Sequence, residues 1–147
     1  MLAIQELYQS VKQITENYQD LKQCFARFGQ LVNDQLQKED FGIHSMEVSL
    51  NSDKKFFDII LVDSVLRFIF SGNFNNGKTL QGIVKYSIVD IINNISIPIG
   101  TFTFDNHGKT SFNHKGKALR LDELTGATRI VLYCLIESMC LTFPCLY

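Results

Sequence analysis

The chain has few of the residues that small disulfide-rich or metal-dependent folds rely on. Its 147 residues include four cysteines, three histidines, two prolines and no tryptophan. None of the cysteines has CxxC spacing, and a chain of this length buries enough surface to fold without disulfides or metal. We therefore expect no cofactor, and cysteines that act as small buried hydrophobic residues in a reducing compartment.

Strong net charge and an export signal are also missing. The formal net charge is −1, so no global field draws the protein to nucleic acid or acidic lipid. Residues 1–30 include six charged side chains, which interrupt any apolar segment of the kind that export needs. The sequence therefore predicts a cytoplasmic protein.

A nearly uncharged segment closes the chain. From residue 130 to residue 147 the only charged side chain is Glu137, and a run of this length is sufficient to span a membrane. Ser138, Pro144 and the lack of a following Lys or Arg argue against a span. The pattern favours instead a buried helix over residues 122–141, apolar nearly all round.

The strongest periodic signal is an apolar heptad at the amino-terminal end. Apolar residues recur at spacings of three and four, in the a/d pattern of a coiled coil: Ile4, Leu7, Val11, Ile14, Tyr18, Leu21, Phe25, Phe28 and Val32. This predicts a helix over residues 1–39, of which residues 2–38 alone are about 55 Å long, in a domain about 40 Å across. We expect it to lie partly on the sheet, to bend near Gly29, and to leave free length for a second chain.

The central region has the composition of a sheet. Clusters of turn-forming residues separate short runs rich in Ile, Val, Phe and Thr. Because the connections are too short for parallel crossovers, we predict an antiparallel β-meander of five to six strands over residues 43–115. The strands are placed at 43–50, 55–62, 65–72, 79–91, 95–105 and 109–115. The whole chain, 1–147, is interpreted as a single α+β domain with its carboxy-terminal helix packed on the sheet.

Residues 79–94 fit both the spacing of a helix and the alternation of a strand. Gly82 and the β-branched content favour the strand. In the helical alternative, the order of elements resembles that of type III secretion chaperones, in order alone. A dimeric chaperone-like or small-ligand-binding domain, with a cavity between the sheet and the carboxy-terminal helix, is an alternative hypothesis for the function, to which this order adds only an analogy.

One stretch, Gly72–Thr79, matches the P-loop pattern G-x-x-x-x-G-K-[ST]. A P-loop precedes a helix and belongs to a sheet of several βα units, for which the remaining chain is short. The same residues also suit a hairpin turn, because Asn and Gly adopt positive φ readily. We favour the hairpin and keep nucleotide binding through residues 72–79 as a further hypothesis.

Local charge is more informative than net charge. Residues 106–120 contain no acid and several bases: His107, Lys109, His114, Lys115, Lys117 and Arg120. Such a basic hairpin suits an acidic protein surface, although edge lysines also serve to prevent strand-to-strand aggregation. With Phe112 as its only aromatic residue, the segment does not favour nucleic acid.

No catalytic or metal-binding constellation stands out. His107 and His114 are predicted about 20 Å apart along a hairpin, too far to share a ligand. The preferred hypothesis is a non-enzymatic protein–protein interaction module of inhibitor, immunity or adaptor type, which binds another protein and also itself as a homodimer. Its candidate interaction residues are Ile14, Tyr18, Leu21 and Phe25 on the helix, and His107, Lys109, Lys115, Lys117 and Arg120 on the hairpin.

Overall fold

The structure, a computed structural model, describes residues 3–37, 46–51, 53, 55–60, 64–75, 79–90 and 92–142. The side chains of residues 75 and 140–142 are outside that description. The elements in chain order are α1 (Ile4–Leu36), β1 (Glu47–Leu50), β2 (Phe56–Ile60), β3 (Ser64–Asn75), β4 (Thr79–Asp90), β5 (Ile95–Phe104), β6 (Lys109–His114), β7 (Lys117–Arg120) and α2 (Leu124–Thr142).

The strands form one antiparallel sheet in chain order, from β1 to β7. This confirms the predicted meander and the α+β class. The six predicted strands correspond to β1–β6, with some ends that differ by a few residues. Residues 43–45, 61–62 and 91 of the predicted strands lie outside the described part of the chain.

The predicted count of five to six strands is wrong, since the described residues already form seven strands. The additional strand, β7, pairs with β6 through His114↔Lys117 and Asn113↔Ala118. Lys115 and Gly116 have φ angles of 53° and 79° and reverse the chain between these strands, as the central residues of a tight hairpin turn do. A lone Lys-Gly pair is a weaker turn signal than Asn-Gly, which explains why the sequence did not reveal this turn.

The ambiguous segment is a strand. β4 pairs with β3 over its full length, from Ser64↔Asp90 to Asn75↔Thr79. Gly82, Val84, Tyr86 and Ile88 are buried in alternation, as expected for a strand with one face on the core. The preferred interpretation is confirmed, and the helical alternative is wrong. The order of elements therefore lacks the internal helix on which the resemblance to type III secretion chaperones depended.

Helix α1 continues through Gly29 as one element from Ile4 to Leu36. Gly29 lies where the helix approaches the sheet, and a Cβ atom at this position would be 3.1 Å from Cδ1 of Phe57 and 3.3 Å from Cδ2 of Leu50. The glycine is therefore explained by close packing against β1 and β2, and the bend expected near it stays a prediction.

An aromatic core lies between the sheet and the two helices. Phe28 of α1 contacts Phe57 and Phe68 of the sheet at ring-centroid distances of 5.3 and 5.8 Å, both edge to face. Beside α1, helix α2 buries one face in the same core: Ala127, Ile130, Val131, Cys134 and Leu135. This confirms that the carboxy-terminal helix packs on the sheet.

The burial of α2 is one-sided. Tyr133, Ile136 and Met139 on its opposite face are exposed, although the sequence suggested a helix buried on nearly all sides. Among the described residues, none of the helices has the length and apolar character needed to cross a membrane.

Candidate protein-interaction surface

The apolar stripe of α1 divides at Tyr18 into an exposed and a buried half. Every residue from Ala3 to Glu16 is exposed, whereas Leu21 and Phe25 are almost completely buried. The exposed half carries Ile4, Leu7, Val11 and Ile14, with 81, 49, 64 and 42% of their surface accessible. We refer to these four residues as the free stripe.

The free stripe belongs to a helical segment that has no packing partner within the described chain. Residues 4–17 span about 21 Å of helix. Some of its polar side chains form hydrogen bonds within the helix: the Ser10 hydroxyl donates to the backbone carbonyl oxygen of Glu6, and the Gln13 amide donates to the side-chain oxygen of Asn17. A helix this short is marginal on its own in water, so its continuity with the anchored half stabilises it.

The apolar area of this segment is large for a surface that remains in water. Tyr8, beside the free stripe, is also 74% exposed. Together these five side chains amount to about three fully exposed large apolar residues. Their burial would contribute about 5–9 kcal/mol per chain, at about 1.5–3 kcal/mol for each side chain. Contiguous exposed apolar surface of this kind marks interaction sites.

Charge is kept away from the free stripe. In the heptad the flanking e and g positions are Tyr8, Ser10, Thr15 and Asn17, which are all uncharged. The charged residues of the segment, Glu6, Lys12 and Glu16, fall at b, c and f positions on the outer face. The surface is therefore an apolar stripe with neutral polar borders.

The sheet continues this apolar surface where the helix leaves the domain. The ring centroid of Tyr18 is 5.6 Å from that of Phe70, and a Cβ atom at Gly72 would be 3.1 Å from the Tyr18 ring. The next residue of β3 on that face is Phe74, which is 45% exposed. The free stripe ends at Ile14, one turn before Tyr18, so Ile14 and Phe74 are the next apolar residues beyond the contact between Tyr18 and Phe70.

The predicted helix residues are thus divided between two environments. Ile14 is exposed and Tyr18 is half-buried at the boundary, whereas Leu21 and Phe25 belong to the protein's own core and are not available to a partner. The free stripe residues Ile4, Leu7 and Val11 belonged to the heptad but not to the predicted interaction set. The available signal was the change from aliphatic to aromatic residues at Tyr18, because large rings suit a sheet core better than a two-stranded seam.

The basic hairpin is smaller than its sequence suggested. His107 in the β5–β6 turn and Lys109, Lys115 and Lys117 on the β6–β7 hairpin are exposed. Arg120 is instead paired, with 3.1 Å to the Asp122 carboxylate and 3.4 Å to that of Glu123. The hydrogen bond and charge of Asp122 raise the pKa of Arg120. The two acids lie just beyond residues 106–120, which is why the local charge count did not include them.

The P-loop-like stretch has the geometry of a hairpin in its described part. Gly72–Asn75 belong to β3 and Thr79 begins β4, with Asn75 paired to Thr79, while residues 76–78 lie outside the described residues. A strand follows the stretch, so it does not lead into the helix amino terminus on which P-loop phosphate binding depends.

The two histidines in the described part of the chain flank opposite ends of β6. His107 precedes β6 and His114 ends it, while His44 lies outside the described residues. Within the described ranges, no three His, Cys, Asp or Glu side chains form a group that could hold a metal ion.

A cleft of about 510 Å³ opens between the β6–β7 hairpin and α2, with Phe112, Leu119, Ile130, Tyr133 and Ile136 in its walls. Phe112 packs against the ring of Tyr133 at 5.3 Å, edge to face. This cleft is the described feature that comes closest to the predicted cavity beside the carboxy-terminal helix. Ser111, Asn113, His114 and Arg129 also line the cleft, so its walls are mainly but not entirely apolar.

Two ionisable groups are buried where α2 meets the sheet. The Tyr86 hydroxyl donates to the Glu137 carboxylate at 3.0 Å, and Cys134 is a fully buried free thiol. Burial first, and then the neighbouring Cys134 and Glu137, raise the pKa of Tyr86 above its ordinary value of 10.0. Burial, with the charge of Glu137, raises the pKa of the Cys134 thiol above its ordinary value of 9.0.

This pair predicts that the protein loses stability in alkali. Above about pH 9 the unfolded chain releases these protons while the folded chain retains them, so the free energy of unfolding falls as pH rises. Each group contributes a slope of about 1.4 kcal/mol per pH unit. Urea unfolding between pH 7 and 11 should show a shallower decline for Tyr86→Phe than for the wild type, and an unchanged decline for Tyr133→Phe at an exposed position. Equal slopes for wild type and Tyr86→Phe would contradict this assignment.

Comparison with known proteins does not assign the chain to a family. Neither protein-family models, nor curated proteins, nor solved structures give a match to the chain. Its function is therefore inferred from its own residues.

Proposed function

We propose that this chain is a non-enzymatic protein-interaction module of inhibitor, immunity or adaptor type that acts in the cytoplasm. The observation that carries the proposal is the free stripe: one heptad pattern runs along α1, and its first half is exposed while its second half is built into the core. The module binds by presenting a helix to an apolar surface of its partner.

The free stripe has the spacing of helix-in-groove recognition. Its anchors lie at i, i+3, i+7 and i+10 and project from one side of α1. Residues 21–36 hold the same helix against the sheet, so the exposed half is presented in a formed conformation. Such pre-organisation lowers the entropy lost on binding.

Two further features support this proposal. Cys24 and Cys134, the cysteines whose side chains are described, are free thiols, as is usual in a reducing compartment. Exposed Lys109, Lys115 and Lys117 form a basic edge that would increase the association rate with an acidic partner.

The cleft beside α2 supports one alternative, the binding of a small apolar ligand. Its walls are mainly apolar with a few polar groups, among them His114 and Arg129, and its size, about 510 Å³, falls within the usual range of ligand pockets. We prefer the interaction module because the free stripe is the more exposed surface and lies on a helix that projects from the core. Ligand binding in the cleft would not depend on Val11, so substitution of Val11 separates the two functions.

Val11→Asp at the centre of the free stripe is expected to abolish partner binding without unfolding the protein. The matched control is Gln9→Asp, which places the same charge on the opposite face of α1. Tagged wild type and both variants would be isolated from the native host, and co-purifying proteins quantified by mass spectrometry and then tested as purified proteins by calorimetry. We expect one protein to bind wild type and Gln9→Asp equally and Val11→Asp at least about 30-fold more weakly, as for a buried hot spot.

Equal binding by all three proteins, with unchanged circular dichroism, would contradict a role for the free stripe. Failure of any purified candidate to bind the wild type with a defined stoichiometry would contradict the interaction module as a whole.

A further inference from the structure

We infer that the free stripe pairs with the free stripe of a second copy of this chain, in an antiparallel two-helix seam over residues 4–14. The inference deepens the proposed function, on which it rests, by naming the partner as the protein itself. It is carried by the symmetry of the stripe, the distribution of charge beside it, and the position of the sheet.

The stripe is complementary to itself when one copy is reversed. In an antiparallel seam, a positions face d positions of the other helix. With Ile4 opposite Ile14 of the second copy, Leu7 falls opposite Val11 of the second copy, and the same two pairings recur by symmetry. Every residue of the free stripe therefore meets another, as a two-fold interface requires.

The borders of the stripe do not oppose self-association. Two copies of one helix place identical residues on both sides of the seam, so charged flanking positions would repel in some arrangements. Tyr8, Ser10, Thr15 and Asn17 occupy those positions and carry no charge, while Glu6, Lys12 and Glu16 face away. Partner choice in coiled coils is set mainly by flanking charges, and their absence here suits an identical partner.

The position of the sheet favours the antiparallel over the parallel orientation of the two helices. From Leu21 onward the same face of α1 is covered by the protein's own sheet, with Phe25 packed 5.5 Å from Phe57 and 5.6 Å from Phe70 between ring centroids. If the second helix ran parallel, the seam would continue in both copies toward Leu21, where each helix is already covered by its own sheet. The two sheets would then compete for the same side of the seam. In the antiparallel arrangement the second helix begins opposite Ile14 and runs away from the domain, so the overlap is limited to the exposed half.

The area is sufficient for a reversible dimer. Two copies bury twice the surface of five large apolar side chains, of which Ile4 and Tyr8 are the most exposed. The beginning of the second helix also comes close to Phe74 and can cover it. The seam is short compared with obligate dimer interfaces, so we expect a dissociation constant in the range of roughly micromolar.

Sedimentation equilibrium of the full chain tests the dimer. Between about 1 and 200 μM, wild type and Gln9→Asp should pass from monomer to dimer, whereas Val11→Asp should remain monomeric with an unchanged circular dichroism spectrum. The inference is overturned if the wild type stays monomeric over this range, or if Val11→Asp dimerises as the wild type does.

Cysteine pairing tests the orientation. In the antiparallel seam the two copies of residue 4 are about 15 Å apart along the axis, as are the two copies of residue 14, too far for a disulfide. Ile4→Cys alone and Ile14→Cys alone should therefore give no cross-linked dimer beyond the wild-type background under mild oxidation, while a mixture of the two variants should cross-link. Cross-linking of each variant alone would show a parallel seam and overturn the antiparallel arrangement.

The dimer and the proposed function can fail separately. If the wild type is monomeric throughout but binds a different protein that Val11→Asp does not bind, self-pairing is rejected and the proposed interaction module still stands. A dimer that forms equally in Val11→Asp shows that the copies associate elsewhere, and it removes the role of the free stripe in self-pairing.

Discussion

Replacement of Leu21 by aspartate is expected to abolish folding, although the same substitution ten residues earlier in the same stripe leaves the fold intact. Leu21 is completely buried in the core beneath the sheet. The substitution removes a buried leucine, worth about 2–5 kcal/mol, and adds an unpaired carboxylate whose burial costs several kcal/mol more. The sum approaches or exceeds the total stability of an ordinary domain, about 5–15 kcal/mol.

Circular dichroism and urea unfolding measure this effect. Leu21→Asp should lack the cooperative transition of the wild type, whereas Val11→Asp, at an exposed position, should lie within about 0.5 kcal/mol of it under dilute conditions. Leu21→Ala serves as a milder variant and should fold with a loss of about 2–5 kcal/mol. A Leu21→Asp protein as stable as Val11→Asp would show that α1 is not anchored where the structure places it.

Replacement of Phe28 by alanine is expected to give the second largest loss, about 3–5 kcal/mol. Phe28 is completely buried and joins α1 to three strands, with ring contacts to Phe57 of β2, Phe68 of β3 and Phe102 of β5 at 5.3, 5.8 and 6.2 Å. Its removal leaves a cavity between the helix and the sheet that neighbouring rings fill only in part. It also removes edge-to-face pairs that contribute about 0.5–1.5 kcal/mol each beyond their burial.

The matched control is Phe74→Ala, which removes the same ring from a position that is 45% exposed at the end of β3. We expect it to cost less than about 1.5 kcal/mol, because much of this ring is in water before the substitution. The free energies of unfolding of Phe28→Ala and Phe74→Ala are obtained from urea titrations, with one common value for the dependence of the free energy on urea concentration. Equal losses for the two variants would contradict the placement of Phe28 at the centre of the core.

Local patterns predicted most of the secondary structure. The heptad marks α1, and alternating β-branched residues between turn-forming clusters mark β1–β6, because side-chain periods of 3.6 and 2 follow from backbone geometry alone. Short connections then leave an antiparallel meander as the available topology. Strand β7 was not predicted because its four residues are too few to show an alternating pattern, and because the Lys-Gly turn before it is a weak turn signal.

The candidate site was predicted only in part. The long amino-terminal helix is confirmed, but the predicted interaction set places Leu21 and Phe25 on the same surface as Ile14. On the hairpin, Arg120 was counted with the exposed bases, although its salt bridges to Asp122 and Glu123 neutralise it locally. In both cases the deciding neighbours lie outside the segment that carried the pattern.

The amino-acid pattern alone is enough to specify an α+β meander and a helix with one continuous apolar face, since both follow from local spacing. It does not specify where along that face the protein's own core ends. That boundary, at Tyr18, depends on Phe57, Phe68, Phe70 and Phe102, which are distant in sequence and reach α1 only through the folded sheet. Burial is a property of neighbours brought together by tertiary structure, so folding alone separates the half of the stripe that stabilises the protein from the half left free to bind.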